Sequence, residues 1–545
     1  MHGLHQVRAR APSDPIIPKA GASLEGSLRA WAYALALVVL ALPFFNPDAF
    51  WQLAAGRWIW AHRAIARADE FSFTRLGAPW IDFEWLTQAV WYAVERASGF
   101  WGLWSLKCAL IVAAFWPVDG LLRDKGASAL ARAAAAALWA AGALGVADLR
   151  PDLATLIFFG VLLRRLESGK GSFLFGFALF AAWANLHGGW PAGLLLYALY
   201  AVDARLDGRP TRAIAAQACG AACGLLLNPY GLGLLAMFRA HADPAARLIM
   251  EWKPPSVYRG FQLGLIAELA VVPALVAAAA LSGRRVPRAP AAAAFVFGAA
   301  SAFSARFGGL FATCAAALVF SVFPDPAPSA VAWGLAALTP MIPFYRGPWS
   351  YPFHGNYVDV RAVEFVARER AVLGNLRLLN QYEWGGALEW RLGPGWRVFD
   401  DGRYLFARQL AETQDALDSP EALAELARRR RLDGFLIADY PAMMRTVRVA
   451  PDGSRREMSR PWDAVFFPRG RWALVYWDGS AVLYVDRGRV PAAWLAAHEY
   501  RWWRPRDGAA LEDARGRGEV PEAALAAERK RQRAEASQPA RLSRN

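Results

Sequence analysis

Cysteine is scarce: Cys108, Cys219, Cys223 and Cys314 are the four in a chain of 545 residues. All fall inside apolar runs, with neither a disulfide framework nor zinc spacing, and they read as small apolar fillers. A cleavable signal pattern is also missing. Met1–Ser27 is polar, with Pro and Arg, and is expected to be a disordered cytoplasmic arm ahead of an uncleaved anchor. Acids are nearly absent from the apolar runs. Glu268 is the one acid well inside such a run, costly in hydrocarbon but too isolated to form a relay. The formal charge is +15, yet the positives lie in short clusters between apolar runs instead of along one stripe. That argues against a nucleic-acid partner and for charges that orient a chain in a membrane.

Apolar sequence is abundant. With 56% apolar residues and 25 Trp, the chain is too greasy for an ordinary soluble enzyme. Runs of about 17–22 residues match the roughly 20 helical residues that cross a bilayer core. The first is Leu28–Phe45. The others are Phe100–Val118, Ala127–Ala147, Asp152–Leu166, Ser172–Leu186, Pro191–Val202, Thr211–Leu227, Phe261–Leu281, Pro290–Ala305, Leu310–Phe323 and Ser329–Tyr345. The expected fold is a polytopic α-helical membrane protein of about eleven transmembrane helices over residues 28–345, with its first outer loop at 46–99. An extracytoplasmic α/β domain at 346–504 and a charged tail, helical or disordered, at 505–545 complete it.

Orientation follows from basic clusters. Arg123/Lys125/Arg132, Arg164/Arg165/Lys170, Arg205/Arg209/Arg212 and Arg284/Arg285/Arg288 fall on alternate connections and, with the amino-terminal arm, define a cytoplasmic side. Pro324–Pro328 breaks the pattern, having Asp325 and no base. The remaining connections are then outside, and they hold most of the polar motifs. These are Asn46-Pro-Asp48, Arg150-Pro-Asp152, Asn185-Leu-His187-Gly-Gly, Asn228-Pro-Tyr230-Gly, Glu251-Trp252-Lys253 and Ser304-Ala-Arg306. Convergence of both charge signs at one face suggests a shared cavity.

Each motif also has a plain structural reading. Arg150-Pro-Asp152 suits a turn with proline at the first helical position, and Asn228-Pro-Tyr-Gly is a good turn sequence. His187 can cap a span, and Arg306 can snorkel. The stretch Asn46–Leu86 is the most informative, because Asp48, Asp69/Glu70, Asp82 and Glu84 lie there among tryptophans and arginines. Ala49–His62 has helical apolar spacing and reads as a helix in a membrane interface. A second helix is expected at Glu84–Ala97, with turn-rich extended chain between.

These motifs (DAFWQLAAGRWIW, ADEFSFT, PWIDFEWL, NLHGGW, LNPYG and EW, within about Leu28–Tyr345) resemble the bacterial GT-C glycosyltransferases, polytopic enzymes that use polyprenyl-phosphate-linked sugars. The resemblance implies a bacterial inner-membrane location with the amino terminus cytoplasmic and the C-terminal domain periplasmic. It also implies a polyprenyl-phosphate-linked sugar donor held among membrane lipid. By position Asp48 matches the family's acidic residue after the first span. No second acid adjoins Asp48, and the oligosaccharyltransferase-type WWDYG is absent, so Asp82, Glu84 or Asp152 would have to support it. A carboxylate can take the acceptor's hydroxyl proton. Arginine forks suit phosphate oxygens, making Arg57, Arg150 and Arg306 candidates. Asp152, His187 and Tyr230 join them as substrate-binding candidates. Asp48 with Asp82 or Glu84 has the oxygen donors that suit Mg²⁺ or Mn²⁺, although no spacing requires a metal. The alternative is a non-catalytic protein that binds or assembles lipid-linked glycans on the same scaffold. A solute transporter fits less well, since the polar residues gather at one face and not near the midplane.

After Tyr345 the patterning becomes that of a soluble α/β domain. Asn375–Asn380, Arg397–Asp400, Asp433–Ala438, Trp472–Tyr476 and Ala481–Val485 read as strands, the last two joined at Asp478-Gly479. Helices are expected at Val360–Leu373, Trp384–Leu392 and Pro420–Arg430. Gln381-Tyr-Glu-Trp-Gly-Gly386 and Asp400-Asp-Gly-Arg403 look like loops after strands, where ligands are often met.

Overall fold

A computed structural model describes residues 20–43, 46–241, 243–340, 358–449, 453 and 455–539. Residues 1–19 of the expected arm, and the Tyr345 boundary between the two halves, lie outside the described residues. Apolar runs become helices even where a proline falls inside them, as Pro117 and Pro273 do. Thirteen α-helices occupy the described residues through Leu338. They are α1 (Ala20–Ala41), α2 (Asp48–His62), α3 (Trp85–Asp124), α4 (Ala129–Ala143), α5 (Asp152–Glu167), α6 (Phe173–Leu186) and α7 (Pro191–Leu206), then α8 (Arg212–Leu225), α9 (Ala236–His241), α10 (Leu263–Leu281), α11 (Arg288–Phe303), α12 (Gly308–Val322) and α13 (Pro328–Leu338).

A helix lies in each of the eleven expected spans. Four segments, Ser23–Ala41, Trp85–Asp124, Gly260–Leu281 and Ala305–Val322, are long and apolar enough to cross a membrane. The rest are shorter, so eleven crossings is an expectation the helix lengths do not establish. The described part of the first helix already includes Ala20–Ser27, so that stretch of the expected disordered arm is helical and continuous with the first span. The helix expected at Glu84–Ala97 and the span after it are one 40-residue element, bent where Gly99 takes a left-handed φ of 62°.

The interface reading of α2 needs correction. Its first two turns, Ala49–Gly56, are buried on every side, Gln52 included. They are enclosed between the bundle and the C-terminal domain, and their apolar residues share a core with both. Ala49, Phe50 and Leu53 pack in one cluster with Trp91, Val363, Leu388 and Leu436.

The C-terminal domain is built on a mixed four-stranded sheet in the order β1-β2-β6-β5. Its strands are β1 (Leu378–Asn380), β2 (Gly434–Ala438), β5 (Trp472–Trp477) and β6 (Ala481–Asp486), and a separate hairpin pairs β3 (Met443–Val449) with β4 (Arg455–Pro461). The β5–β6 turn falls at Gly479, whose φ is 97°. Arg397–Asp400 is not a strand of this sheet. Val398 instead pairs with the loop between α2 and α3, accepting from Phe73 N–H at 3.0 Å and donating to Phe71 O at 3.0 Å. Its extended pattern is real, but the partner is over 300 residues away.

The charged tail is not free either. Helices at Gly508–Gly516 and Glu522–Ser537 pack on the domain. Leu525 is buried, and the Glu528 carboxylate accepts the backbone N–H groups of Arg501, Trp502 and Trp503 at 3.0, 2.9 and 2.6 Å. One leucine and one multiply bonded acid dock a helix that has no long apolar stripe.

At one end of the bundle the basic clusters meet acids: Arg132 with Asp119, Lys125 with Glu167, and Arg209 and Arg288 with Asp203 and Asp207. The polar motifs occupy the other end, beneath the C-terminal domain.

Candidate active site

Asp48 opens α2. Pro47 precedes it, and the Asn46 side chain accepts the Asp48 N–H at 3.0 Å, while Asn46 N–H donates to Asp148 at 2.8 Å. The carboxylate of Asp48 therefore makes no capping bond. It accepts from Trp51 Nε1 at 3.2 Å and lies 3.7 Å from the Arg150 guanidinium. Burial pushes its pKa up to about 6, with Arg150 pulling it back.

Arg150 sits centrally. It contacts Glu251 and approaches Asp152 at 3.2 Å as well as Asp48. Burial opposes its charge, but Glu251, Asp152 and Asp48 together hold its pKa above the usual value. Arg306 reaches Glu251 at 2.6 Å and Asp152 at 3.8 Å, and its guanidinium lies over the Trp252 ring. Arg306, which has no acid near it in sequence, thus has partners, supplied by the loop before α10 and by the start of α5.

Asp82 and Glu84 form a second layer. Glu84 accepts from Gln52 Nε2 at 2.5 Å, and burial raises its pKa to about 8. Asp82 accepts from Gln88 Nε2 at 2.6 Å, its other oxygen is buried without a hydrogen bond, and burial raises its pKa to about 7. His187 joins the layers. Its Nδ1 accepts from Gly189 N–H at 3.2 Å and from Thr155 Oγ1 at 2.7 Å, since that hydroxyl already accepts from Trp183 Nε1 at 2.8 Å. Nε2 then carries the proton and faces Asp152 at 3.5 Å and Glu84 at 3.7 Å. Burial lowers the His187 pKa to about 4, so the ring is neutral near pH 7.

Two candidates fall elsewhere. Arg57 donates to the carbonyls of Glu389 and Trp390 at 2.8 and 3.0 Å and stacks on the Trp390 ring, fastening α2 to the C-terminal domain. Tyr230 accepts the Asp82 N–H at 2.9 Å and lies under Arg67, bracing the loop that carries Asp82. Asp48, Asp82 and Glu84, the oxygen donors named for a divalent ion, line one polar chamber. Among the described residues no group of three or more His, Cys, Asp or Glu side chains could hold a metal ion, and the carboxylates of Asp48, Asp152 and Glu251 approach Arg150.

The C-terminal domain contributes residues that the sequence pointed to only as loops. Gly386 lies against the Trp51 backbone and Gly402 against the Asp48 carboxylate, and a Cβ at either would collide. Gly402 is held by its neighbour Arg403, fully buried, which pairs with Asp401 and with Asp69 at 2.8 Å and lies over the rings of Phe71, Trp80 and Phe406. Glu251, Tyr382, Gly402 and Arg403 complete the site. Their signals were the Glu-Trp pair and the two post-strand loops, and none has a fixed distance in sequence from Asp48.

Three cavities meet here. An outer one of about 280 Å³ is lined by Asp48, Arg150, Glu251, Arg306, Tyr382 and Gly402 among others. A small polar chamber of about 110 Å³ adds Asp82, Glu84, Asp152 and Arg403. A mainly apolar cavity of about 400 Å³ runs among α5, α7 and α11, with Phe83, Asp152, His187 and Arg306 at its polar end. Arg306 lines all three, and Asp48 only the first two.

No family model and no curated protein matches the chain. Among solved structures, the chain is similar to the apo oligosaccharyltransferase of Archaeoglobus fulgidus, with TM-score 0.52, 11% identity, and coverage of 88% of this chain and 81% of that one. It is also similar to the oligosaccharyltransferase AglB of the same organism in complex with an inhibitory peptide and a dolichol-phosphate, with TM-score 0.50, 12% identity, and coverage of 81% and 75%. At these identities the likeness is one of fold, over most of both chains.

Proposed function

We propose that this chain is a glycosyltransferase that moves a sugar from a polyprenyl-phosphate donor to an acceptor hydroxyl at the periplasmic face of a bacterial inner membrane. The carrying observation is the placement of Asp48 and Arg306 on one polar chamber that adjoins an apolar cavity. The donor's phosphate binds at Arg306, its tail enters the apolar cavity, and its sugar occupies the chamber of Asp82, Glu84 and Asp152. Asp48 takes the acceptor's hydroxyl proton. The acceptor oxygen forms the new bond to the anomeric carbon as the bond from that carbon to the phosphate oxygen breaks. The electron pair leaves with the polyprenyl phosphate, whose charge Arg306 and Arg150 offset. A base with a pKa near 6 is largely ionised at neutral pH and still basic enough to accept a proton.

A second reading, a non-catalytic binder of lipid-linked glycans, draws support from the internal pairing of Arg150 and Arg306 with carboxylates. One assay separates the two. Purified chain is mixed with donor lipid carrying radiolabelled sugar and with membranes of the source organism, and label is followed into other fractions. Transfer by the wild type and its loss in Asp48→Asn support the enzyme. Tight donor binding with no transfer under any acceptor fraction supports the binder.

A further inference from the structure

Only the arginine edge of the outer cavity, Arg150 and Arg306, serves the donor, and its other walls bear on the acceptor. On one side stand the C-terminal-domain residues Tyr382 and Gly402. The opposite side is Val146 after α4 with Phe261 in the turn before α10 and Leu265 in its first turn, both within the candidate span Gly260–Leu281. Its rim is the loop Leu248–Lys253, where Met250 is 47% exposed. Just beyond, Val257 and Tyr258 are 61% and 95% exposed. Lys253 and Arg259, also lining the cavity, place cations beside these apolar side chains. Exposed Met, Val and Tyr interleaved with Lys and Arg at the outer end of a span is the composition of a segment seated in the headgroup region. A cavity with that rim opens at the bilayer surface, and about 280 Å³ is close to the lower end of small-molecule sites.

We infer that the outer cavity binds a second amphiphile, an anionic membrane lipid carrying a hydroxyl, and that this lipid class is the acceptor. Its head would lie beside Lys253 and Arg259, its hydroxyl would reach Asp48, and its chain would follow Val146 and Leu265. Identification of this lipid as acceptor rests on the transferase reading, whereas the existence of a second amphiphile site does not. The cavity serves Asp48, the apolar cavity does not touch Asp48, and Arg306 stands between them. Two apolar slots flanking one polar cluster suit two lipids that meet head to head.

Native mass spectrometry of the full chain in detergent, with undecaprenyl phosphate and lysophosphatidylglycerol added separately and together, tests this. Simultaneous binding of one of each is expected. Leu265→Trp, filling the outer cavity, should cut lysophosphatidylglycerol occupancy at least tenfold and spare undecaprenyl phosphate. Ala300→Trp, in the apolar cavity, should do the reverse. Lys253→Glu, an exposed change that leaves the fold alone, should weaken lysophosphatidylglycerol severalfold but not zwitterionic lysophosphatidylcholine. Mutual displacement of the two lipids in the wild type overturns the inference, as does unchanged lysophosphatidylglycerol binding in both Leu265→Trp and Lys253→Glu. Lysophosphatidylglycerol binding that responds to these variants, in a protein that takes up no undecaprenyl phosphate, supports the second site and removes the donor reading instead.

Discussion

The two ends of the helical bundle use the same residue types in opposite ways. At one end Arg209 and Arg288 meet Asp203 and Asp207 with the arginines more than half exposed. Such pairs gain little and are screened by salt. At the other end Arg150 and Arg306 meet Asp48, Asp152 and Glu251 with side chains 15–28% exposed, roofed by a folded domain. Removing these charges from water costs several kcal/mol per ion before pairing returns any of it. A bundle that only needed to orient itself would stop at the first arrangement. The burdened end is where chemistry is expected, and mutation should separate the two.

The largest contrast concerns stability. Arg403 holds the Gly402 loop through Asp69 and Asp401 at a fully buried site. Arg403→Ala leaves those carboxylates unpaired and should cost about 3–5 kcal/mol, lowering the melting temperature by several degrees. Arg288→Ala at the opposite end should leave the melt where it was. Equal melts would mean that the roof is not fastened through Arg403. The same reasoning bears on residues 346–504, which the sequence patterning marks as a soluble type of α/β domain. Phe50 and Trp91 lie in the domain's own core, and Leu525 and Glu528 seal its far side. That fragment, expressed by itself, should give no cooperative thermal transition.

Catalysis supplies the next contrast. Asp48→Asn keeps the shape and the Trp51 bond but has no useful proton affinity. Transfer should fall by about 10²-fold or more with the melting temperature nearly unchanged, whereas Asp203→Asn should transfer normally. Full activity in Asp48→Asn would move the base elsewhere, and Asp152 would be examined first.

These contrasts also show what a sequence can and cannot carry. The apolar runs located helices well, because a span is a local property of about 20 residues. Asp48, Asp82, Glu84, Arg150, Asp152, His187 and Arg306 all line the joined cavities, and each sits at a helix end where polar residues interrupt apolar ones. Arg57 and Tyr230 had the same local signature, yet their partners, Glu389 and Asp82, turned them into fasteners. Gly402 and Arg403 were unreadable as site residues because their meaning depends on Asp48 and Asp69, more than 300 positions away. Val398 repeats the lesson: the extended pattern was legible, and the strand it would join was not.

A smaller effect tests the arginines. Arg306→Lys keeps the charge and loses the planar fork. Undecaprenyl phosphate binding should weaken by roughly tenfold, about 1.4 kcal/mol, with Arg306→Ala weaker still. Arg209→Lys should change nothing. Unaltered binding in Arg306→Ala would leave Glu251 as that arginine's whole purpose.

The smallest expected effect is the pH profile, and its sign is distinctive. Burial raises the Asp48 pKa from 3.8 to about 6. Transfer needs the carboxylate, so the rate should be near half-maximal around pH 6 and fall about tenfold per unit below it. Stability should move the other way. A group whose folded pKa is raised binds its proton more readily when folded, so its stabilisation is complete below 3.8 and is lost as pH rises through about 6. Activity therefore climbs over the window in which this residue's contribution to stability declines. Asp48→Asn should remove both slopes at once, since Asn does not titrate. If the low-pH fall survives in the residual activity of Asp48→Asn, the titrating group is another one, and Asp82, with a pKa near 7, is the nearest alternative. Asp207 at the opposite end, its pKa lowered by hydrogen bonds and charge from Arg288 and Arg209, should contribute to neither slope in this range.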